Sequence, residues 1–362
     1  MNTKLAQVCK AFQIEGTYTS HEEITIGNVN RTYKVNLTRA DGAERSYMVQ
    51  ALNTFAFKNP VAVMDNVDRI TKHIRAKKPG YTALKFYHTA SGDSYYLDGP
   101  YFWRMFNYIP SVTHNICTDL TVVRNGGAAF GEFQTMLADF DPLQLHETIP
   151  NFHNTPDRYR QLEKTVTADA VGRVAEVQPE LDWLFSVKEQ ACQLITLQEE
   201  SRLPLRVTHN DTKINNVLFD TCGKEALVVI DLDTVMPGLV GFDFGDAIRS
   251  AGNLVEEDSP ETSKAGLNMD IFRAFTQGFL PQTASILTPD EVDTLALSCF
   301  VLTTELAVRF LTDYIQGNLY FKTRYPEHNL VRTRNQIALA KDILAKQREM
   351  DAVIRACMEQ FH

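Results

Sequence analysis

The chain is short of the features that would fix its class at a glance. None of its six cysteines, Cys9, Cys117, Cys192, Cys222, Cys299 and Cys357, stands in C-x-x-C spacing or beside histidine in a zinc pattern. Neither a disulfide frame nor a thiolate metal site is expected, and reduced thiols in a cytoplasmic setting are. Positive charge is not in excess: 36 Lys and Arg against 45 Asp and Glu give a formal net charge of -9. Nucleic acids and anionic membranes recruit basic surfaces, so neither is an expected partner. The opening "MNTKLAQVCKAFQIEG" has no apolar signal-peptide core. The most apolar long stretch, "LALSCFVLTTELAVRFL" from Leu295, is interrupted by Glu305 and Arg309, which predicts a buried helix and not a membrane span. Repeats and low-complexity tracts are absent.

What remains is an ordinary globular composition. The 362 residues are 44% hydrophobic and 22% charged, enough for two domains or one two-lobed unit. The first hundred residues read mostly as strand. "EEITIGNVNRTYKVNLT" holds β-prone runs at Ile24–Ile26 and Thr32–Leu37 around a Gly/Asn centre, and "RSYMVQALN" follows the turn at Ala40–Gly42. "NPVAVMDNVDRITKHIRAK" has Pro60 near its start and Val63, Val67 and Ile70 at helical spacing. Two more strands flank Asp98-Gly99. From there the chain is mainly helical, with helices expected within 122–140, 158–170, 181–199, 269–279 and 289–314 and from about Arg334 onward. Gly126, Gly127 and Gly131 would let a neighbour approach closely, at some cost in helix propensity.

One short β-like passage interrupts the helices. "VTHNDTKINNVLFD" carries His209, Asp211, Lys213 and Asn216, then "VLFD", "TCGKE" and "ALVVIDLD". The pattern is a hairpin: strand Val217–Phe219, turn at Gly223, strand Leu227–Ile230. A hairpin brings its outer ends together. Asp211, Asn216, Asp231 and Asp233 should therefore converge, with Lys213 beside them. Grouped carboxylates need a positive charge, and Mg2+, a hard cation that keeps few protein ligands and shares phosphate oxygens, suits that set. Asx residues before strands often serve only as turns and caps. Here, though, H-x-D-x-x-x-x-N, a hairpin and an Asp follow in the order of the kinase template.

On these motifs, together with "VVIDLDTVMPG", "FDFGDAIR" and the distal "YPEHNLVRTR", the chain resembles the aminoglycoside-phosphotransferase-like small-molecule kinases, which share the protein-kinase fold. Within them it most resembles the N-acetylhexosamine 1-kinases, and the likeness covers nearly the whole chain. The resemblance implies an α+β, bilobal protein-kinase-like fold. Residues 1–110 would form a small antiparallel-sheet lobe with one helix that binds nucleotide. Residues 111–362 would form a large, mainly helical catalytic and acceptor lobe. It implies ATP and Mg2+, and transfer of the γ-phosphate to the anomeric hydroxyl of N-acetylglucosamine or N-acetylgalactosamine. Asp211 would be the catalytic base, Lys213 a γ-phosphate contact, Asn216 and Asp231 the metal ligands, and Asp243 the brace of the catalytic loop. Asp233 would lie close to metal or sugar. Asn28, Arg309 and Tyr320 would meet the sugar, and Met105 and Asn107, in the inter-lobe "FWRMFNYIP", the adenine.

The chain departs from the kinase template in the first lobe. Only Gly27 stands where G-x-G-x-x-G would cover the phosphates, and Gln50, expected to hydrogen-bond a nucleotide phosphate without bringing charge, replaces the third-strand Lys. Asn28 and Ser250 depart from the hexosamine-kinase pattern. A kinase of another small alcohol (another sugar, an aminoglycoside or choline) and a nucleotide-binding pseudokinase regulator stay open. Arg309 is four residues from both Glu305 and Asp313, so a helix-face ion network is as open as sugar contact. His114, His153 and His328 are expected to be structural or at the surface.

Overall fold

The computed structural model describes residues 1–25 and 29–361. Gly27, Asn28 and the end of the strand expected at Ile24–Ile26 lie outside the described residues. Helix α1 (Asn2–Ala11) comes first, where the sequence reading placed no element. Strands β1 (Thr17–Ile24), β2 (Arg31–Thr38) and β3 (Glu44–Leu52) follow. Then come α2 (Pro60–Lys77), β4 (Tyr96–Asp98) and β5 (Tyr101–Asn107). The five strands make one antiparallel sheet, ordered β1-β2-β3-β5-β4.

The strand period of two sorts the sheet's residues onto two faces. Tyr33, Val35, Tyr47, Val49, Ala51, Trp103 and Met105 pack with Leu5, Val8, Cys9 and Phe12 of α1 into a small core on the outer face. α1 escaped the sequence reading because its charged and polar residues leave only this narrow apolar stripe to bury. The opposite face carries Thr32, Gln50 and Arg104, with Gln50 directly opposite Arg104 in the β3–β5 register. α2 starts where Pro60 and the Asn59 cap place it, the Asn59 side chain accepting from Ala62 N at 3.1 Å.

The helical part begins with α3 (Leu120–Met136), capped by Asp119. α4 (Thr155–Ala168), α5 (Gln178–Ser186), α6 (Lys188–Ala191) and α7 (Gln193–Glu199) follow. The expected 181–199 helix is thus broken at Val187 and Cys192. Two small strand pairs come next: β6 (Arg206–Thr208) with β9 (Met236–Gly238), and β7 (Val217–Phe219) with β8 (Ala226–Val229). α8 (Val240–Ala251), absent from the sequence reading, is buried along nearly its whole length, so no polar face marks its period. α9 (Met269–Thr283), α10 (Pro289–Ile315) and α11 (His328–Met358) complete the chain.

α10 is long and apolar enough to cross a membrane by composition, yet 83% of its most apolar window is buried inside the protein. It is a core helix, opened by a Thr288/Glu291 capping box. The glycines of α3 do what their spacing suggested. A Cβ at Gly127 would stand 2.4 Å from the Phe275 carbonyl oxygen and one at Gly131 2.7 Å from that of Phe279, so α9 lies against bare backbone.

Candidate active site

The hairpin forms as its pattern required, and it is tied to the segment before it. Ile230 N donates to the Asn216 carbonyl at 2.8 Å, and His209 Nε2 meets the Ile230 carbonyl at 2.8 Å. Asp231 therefore begins its turn beside Asn216. Asn216 is buried, and its amide nitrogen donates to Asp211 twice, to the carbonyl at 2.8 Å and to Oδ2 at 3.2 Å. Lys213 Nζ lies 3.0 Å from the other Asp211 oxygen. The Asp211 charge holds the Lys213 ammonium above its ordinary pKa. So Asp211, Lys213, Asn216 and Asp231 do come together.

The loop that carries them is pinned from beneath by α8. Asp243 accepts from His209 N at 2.9 Å and from Asn210 N at 2.7 Å, with Gln134 as a third donor. This is the brace the sequence assigned to Asp243. Burial raises its pKa, against the charge of His209 and those donors. Asp246 accepts from Thr212 N at 3.0 Å and is gripped by Arg249 at 3.0 and 2.7 Å. Burial would raise the Asp246 pKa, but the charges of Arg249 and Lys213 and the Arg249 hydrogen bonds together outweigh it, and the carboxyl stays below the ordinary value. Asn210 holds φ 65° and Asp231 φ 57°, left-handed values uncommon for residues with side chains. Such conformations persist where surrounding bonds over-determine them, and the bonds just described do so here.

Asp231 keeps solvent access along the cleft. Even so, its pKa is pushed up to about 7. The surrounding protein mass comes first among the causes, then the negative charges of Asp233 and Asp211, with Arg104 and His209 opposing. A cation beside it would relieve that repulsion. No protein-only cage of three or more His, Cys, Asp or Glu exists among the described residues. The Asn216 amide and Asp231 carboxylate are the short oxygen set that Mg2+ uses when phosphates complete its shell. The residues present fit that ion.

Other expected positions fall elsewhere. Asp233 is 2% exposed. It pairs with Arg104 of β5, through a close Nη1 contact and an Nη2 bond of 3.1 Å, and accepts from Asn30 Nδ2 at 2.7 Å. It was expected close to metal or sugar: its charge is felt at Asp231, but the fold commits its oxygens to Arg104 and Asn30. Gln50 accepts from Arg104 Nε at 2.9 Å and donates to Thr32 Oγ1 at 2.8 Å. Met105 lies with its side chain in the outer core and its carbonyl bonded to Tyr87 N at 2.9 Å, so it presents nothing to a nucleotide. The strand alternation sends it to the face opposite Arg104. Asn107 commits its N–H to the Lys85 carbonyl at 3.2 Å and its side chain to Lys85 N and the Ala83 carbonyl.

Arg309 forms neither of the ion pairs open to it. Its guanidinium sits between the rings of Phe152 and Phe321, at 5.4 and 5.6 Å from their centroids. Glu305 instead accepts from Thr155 Oγ1 at 2.8 Å and meets His153 Nδ1 at 2.9 Å, while His153 Nε2 reaches the Asn210 carbonyl at 3.2 Å. Arg309 is thus one helical turn from a buried link to the catalytic loop. Asp313 collects the N–H groups of Leu319, Tyr320 and Phe321 at 2.8, 2.7 and 2.9 Å. That holds the stem of a loop whose Tyr320 is 72% exposed. Ser250 only caps its own helix, donating to the Ala247 carbonyl at 3.1 Å. Arg104, Asn30, Asp246 and the His153–Glu305 link were missed by motif reasoning; only Arg104 had a signal, its place opposite Gln50, and that required the register.

The model of the phosphotransferase enzyme family matches residues 20–278. The chain belongs to that family. Solved structures give the same fold at low identity. The microcompartment-associated aminopropanol kinase superposes with a TM-score of 0.63 at 14% identity, over 95% of this chain and 98% of its own. Spectinomycin phosphotransferase, solved with ADP and spectinomycin, gives 0.57 at 13%, over 96% and 99%. Choline kinase from Cryptosporidium parvum Iowa II gives 0.56 at 13%, over 96% of each. The mixed architecture, with its N-terminal antiparallel sheet and helical C-terminal part, is that of these kinase-like folds.

Proposed function

We propose that the chain is an ATP- and Mg2+-dependent kinase that transfers the γ-phosphoryl group to the anomeric hydroxyl of an N-acetylhexosamine, giving the sugar 1-phosphate. The observation that carries the chemistry is the Asp211 carboxylate, held between Asn216 and Lys213 on a loop whose backbone is fixed by Asp243 and Asp246. Asp211 accepts the proton of the attacking hydroxyl. The anomeric hydroxyl is more acidic than an ordinary alcohol, so a carboxylate suffices, and positioning does most of the work. Lys213 presents its ammonium to the transferred phosphoryl. Asn216 and Asp231 would hold the metal, which neutralises charge across the phosphates. With Met105 turned away and the Asn107 N–H committed, the adenine would read backbone beyond the end of β5.

The acceptor side supports an uncharged polyhydroxy substrate. The neighbours that act on aminopropanol, choline or spectinomycin take amine-bearing alcohols, which favour free carboxylates. Here Glu305, Asp313 and Asp246 are bonded, Glu257 pairs with Arg249 at 2.9 Å and Asp258 with Arg324 at 3.2 Å. The cation on that side, Arg309, lies against two rings and is hydrogen-bonded to neither Glu305 nor Asp313, so it is able to donate to hydroxyl or acetamide oxygens. An ATP-consumption screen over hexosamines, other sugars, choline and aminoglycosides tests the reading, with phosphorus NMR to place the phosphate. Turnover of an amino alcohol and of no N-acetylhexosamine would sink the sugar assignment; no turnover of anything would favour a regulatory pseudokinase.

A further inference from the structure

The kinase template holds its nucleotide lobe with a strand lysine paired to a helix glutamate. This chain has neither: Gln50 is at the strand position, and α2 offers Met64, whose Sδ lies 3.8 Å from Arg104 Nη1, and Asn66, whose amide donates to the Val235 carbonyl at 3.0 Å. A different charge pair occupies the space. Arg104 is 3% exposed and Asp233 2% exposed, and they meet across 129 residues of sequence. Arg104 is oriented from its own lobe by Gln50, which Thr32 fixes in turn. Asp233 sits two residues after Asp231, in the tight turn Leu232–Thr234. Its Oδ2 also receives Asn30, the residue before β2, and Asn30 Oδ1 accepts from Asn53 N at 2.9 Å. One carboxylate therefore joins the metal-side turn, β5 and the β1–β2 connection.

We propose that Arg104 is the positioning cation of the sheet lobe: by gripping Asp233 it sets the turn that presents Asp231 and ties that turn to the β1–β2 connection at Asn30. The inference rests on the nucleotide and metal reading above. Two features of the pair say it is more than a buried salt bridge. The guanidinium is held on both sides, by Gln50 in its own lobe and Asp233 in the other, so its position is fixed and not only its charge. The planar fork makes two bonds to one carboxylate, which sets the angle of the turn in a way a point charge does not. Asp231, held at a left-handed φ of 57°, depends on the residues that follow it to stay there.

The test is calorimetric titration of Mg·ADP and of Mg-free ADP into the wild-type chain, R104M, R104K and R104M/D233N, with melting temperatures. In R104M the Mg·ADP affinity falls roughly tenfold to a hundredfold, the loss expected for a charge-assisted hydrogen bond. Mg-free ADP is affected much less, so the ratio of the two affinities collapses. R104M leaves a carboxylate buried alone and melts early. R104M/D233N leaves no lone charge and recovers the melting temperature, but its Mg·ADP affinity stays low. R104K recovers part of the affinity. If Mg·ADP affinity returns with the melting temperature in R104M/D233N, or R104M keeps the wild-type affinity ratio, Arg104 is a stabilising residue only and the inference is overturned. If the wild-type chain itself binds no Mg·ADP, the functional reading fails and takes the inference with it.

Discussion

Two loops in the helical part are held by the same device and left in different states. In the loop around Asp211, the carboxylates of Asp243 and Asp246 take backbone N–H groups, and Gln134 and Arg249 saturate what is left. In the loop around Tyr320, Asp313 alone takes three consecutive N–H groups with Asn329 as a further donor at 2.8 Å, and the tip stands in solvent. Buried N–H groups need acceptors in both places. The first loop is largely buried; the second leaves the Leu319 and Tyr320 side chains in solvent. If the first loop holds the reacting groups and the second admits an acceptor, as proposed above, the difference suits both roles, since in-line transfer tolerates little displacement of the attacking group.

The largest expected effect tests the fixed loop at its centre. Asp211→Asn keeps the shape and the Asn216 contact but removes the proton acceptor, so turnover falls roughly 10²–10⁴-fold. The thermal shift with Mg-nucleotide stays close to wild type. Near-full activity would take Asp211 out of the chemistry.

Next comes the contrast between the two anchoring carboxylates. Asp243→Ala strands two buried backbone donors, at about 1–3 kcal/mol each, and is expected to lower both melting temperature and turnover strongly. Asp313→Ala also strands donors, but water reaches the outer loop; a smaller fall in melting temperature is expected, with a raised KM for the sugar and an unchanged KM for ATP. Equal losses of stability, or an unchanged sugar KM in Asp313→Ala, would erase the distinction.

Arg309→Ala sharpens the acceptor side. Its guanidinium has ring faces on both sides and no carboxylate, so a lost hydrogen bond to the sugar should raise sugar KM roughly tenfold to a hundredfold, about 1.5–3 kcal/mol. The ATP KM should not move. An unchanged sugar KM with a lowered melting temperature would leave Arg309 a packing residue and weaken the N-acetylhexosamine reading.

The smallest effect belongs to Tyr320. Because its ring is mostly in solvent and meets Phe321 edge-on at 4.9 Å, Tyr320→Ala is expected to leave the melting temperature unchanged. Loss of one sugar-stacking ring at an exposed site, about 0.5–1 kcal/mol, should raise sugar KM two- to fivefold. A clear drop in melting temperature would show the tip to be as tightly held as the catalytic loop.

The sequence by itself determined the loop around Asp211. His209, Asp211, Lys213, Asn216 and the hairpin to Asp231 lie within a short span, where strand alternation and a two-strand turn leave one way to bring them together. It also marked α3 as a helix that a neighbour could approach closely, while only the fold showed that Gly127 and Gly131 meet α9 and Gly126 meets Ile214. Only the tertiary structure decided the partners of Asp233, Arg309 and Met105. Asp233 found Arg104 through the register of two strands far earlier in the chain, and Met105 turned outward because α1, whose narrow apolar stripe gives little signal, covers that face. Arg309 had carboxylates one turn away in each direction, but Glu305 was claimed by His153 and Thr155 and Asp313 by a loop's backbone. Local spacing fixes which groups are within reach of one another; which bonds form depends on what distant segments bring to the same place, and a buried carboxylate goes to the donors that water cannot replace.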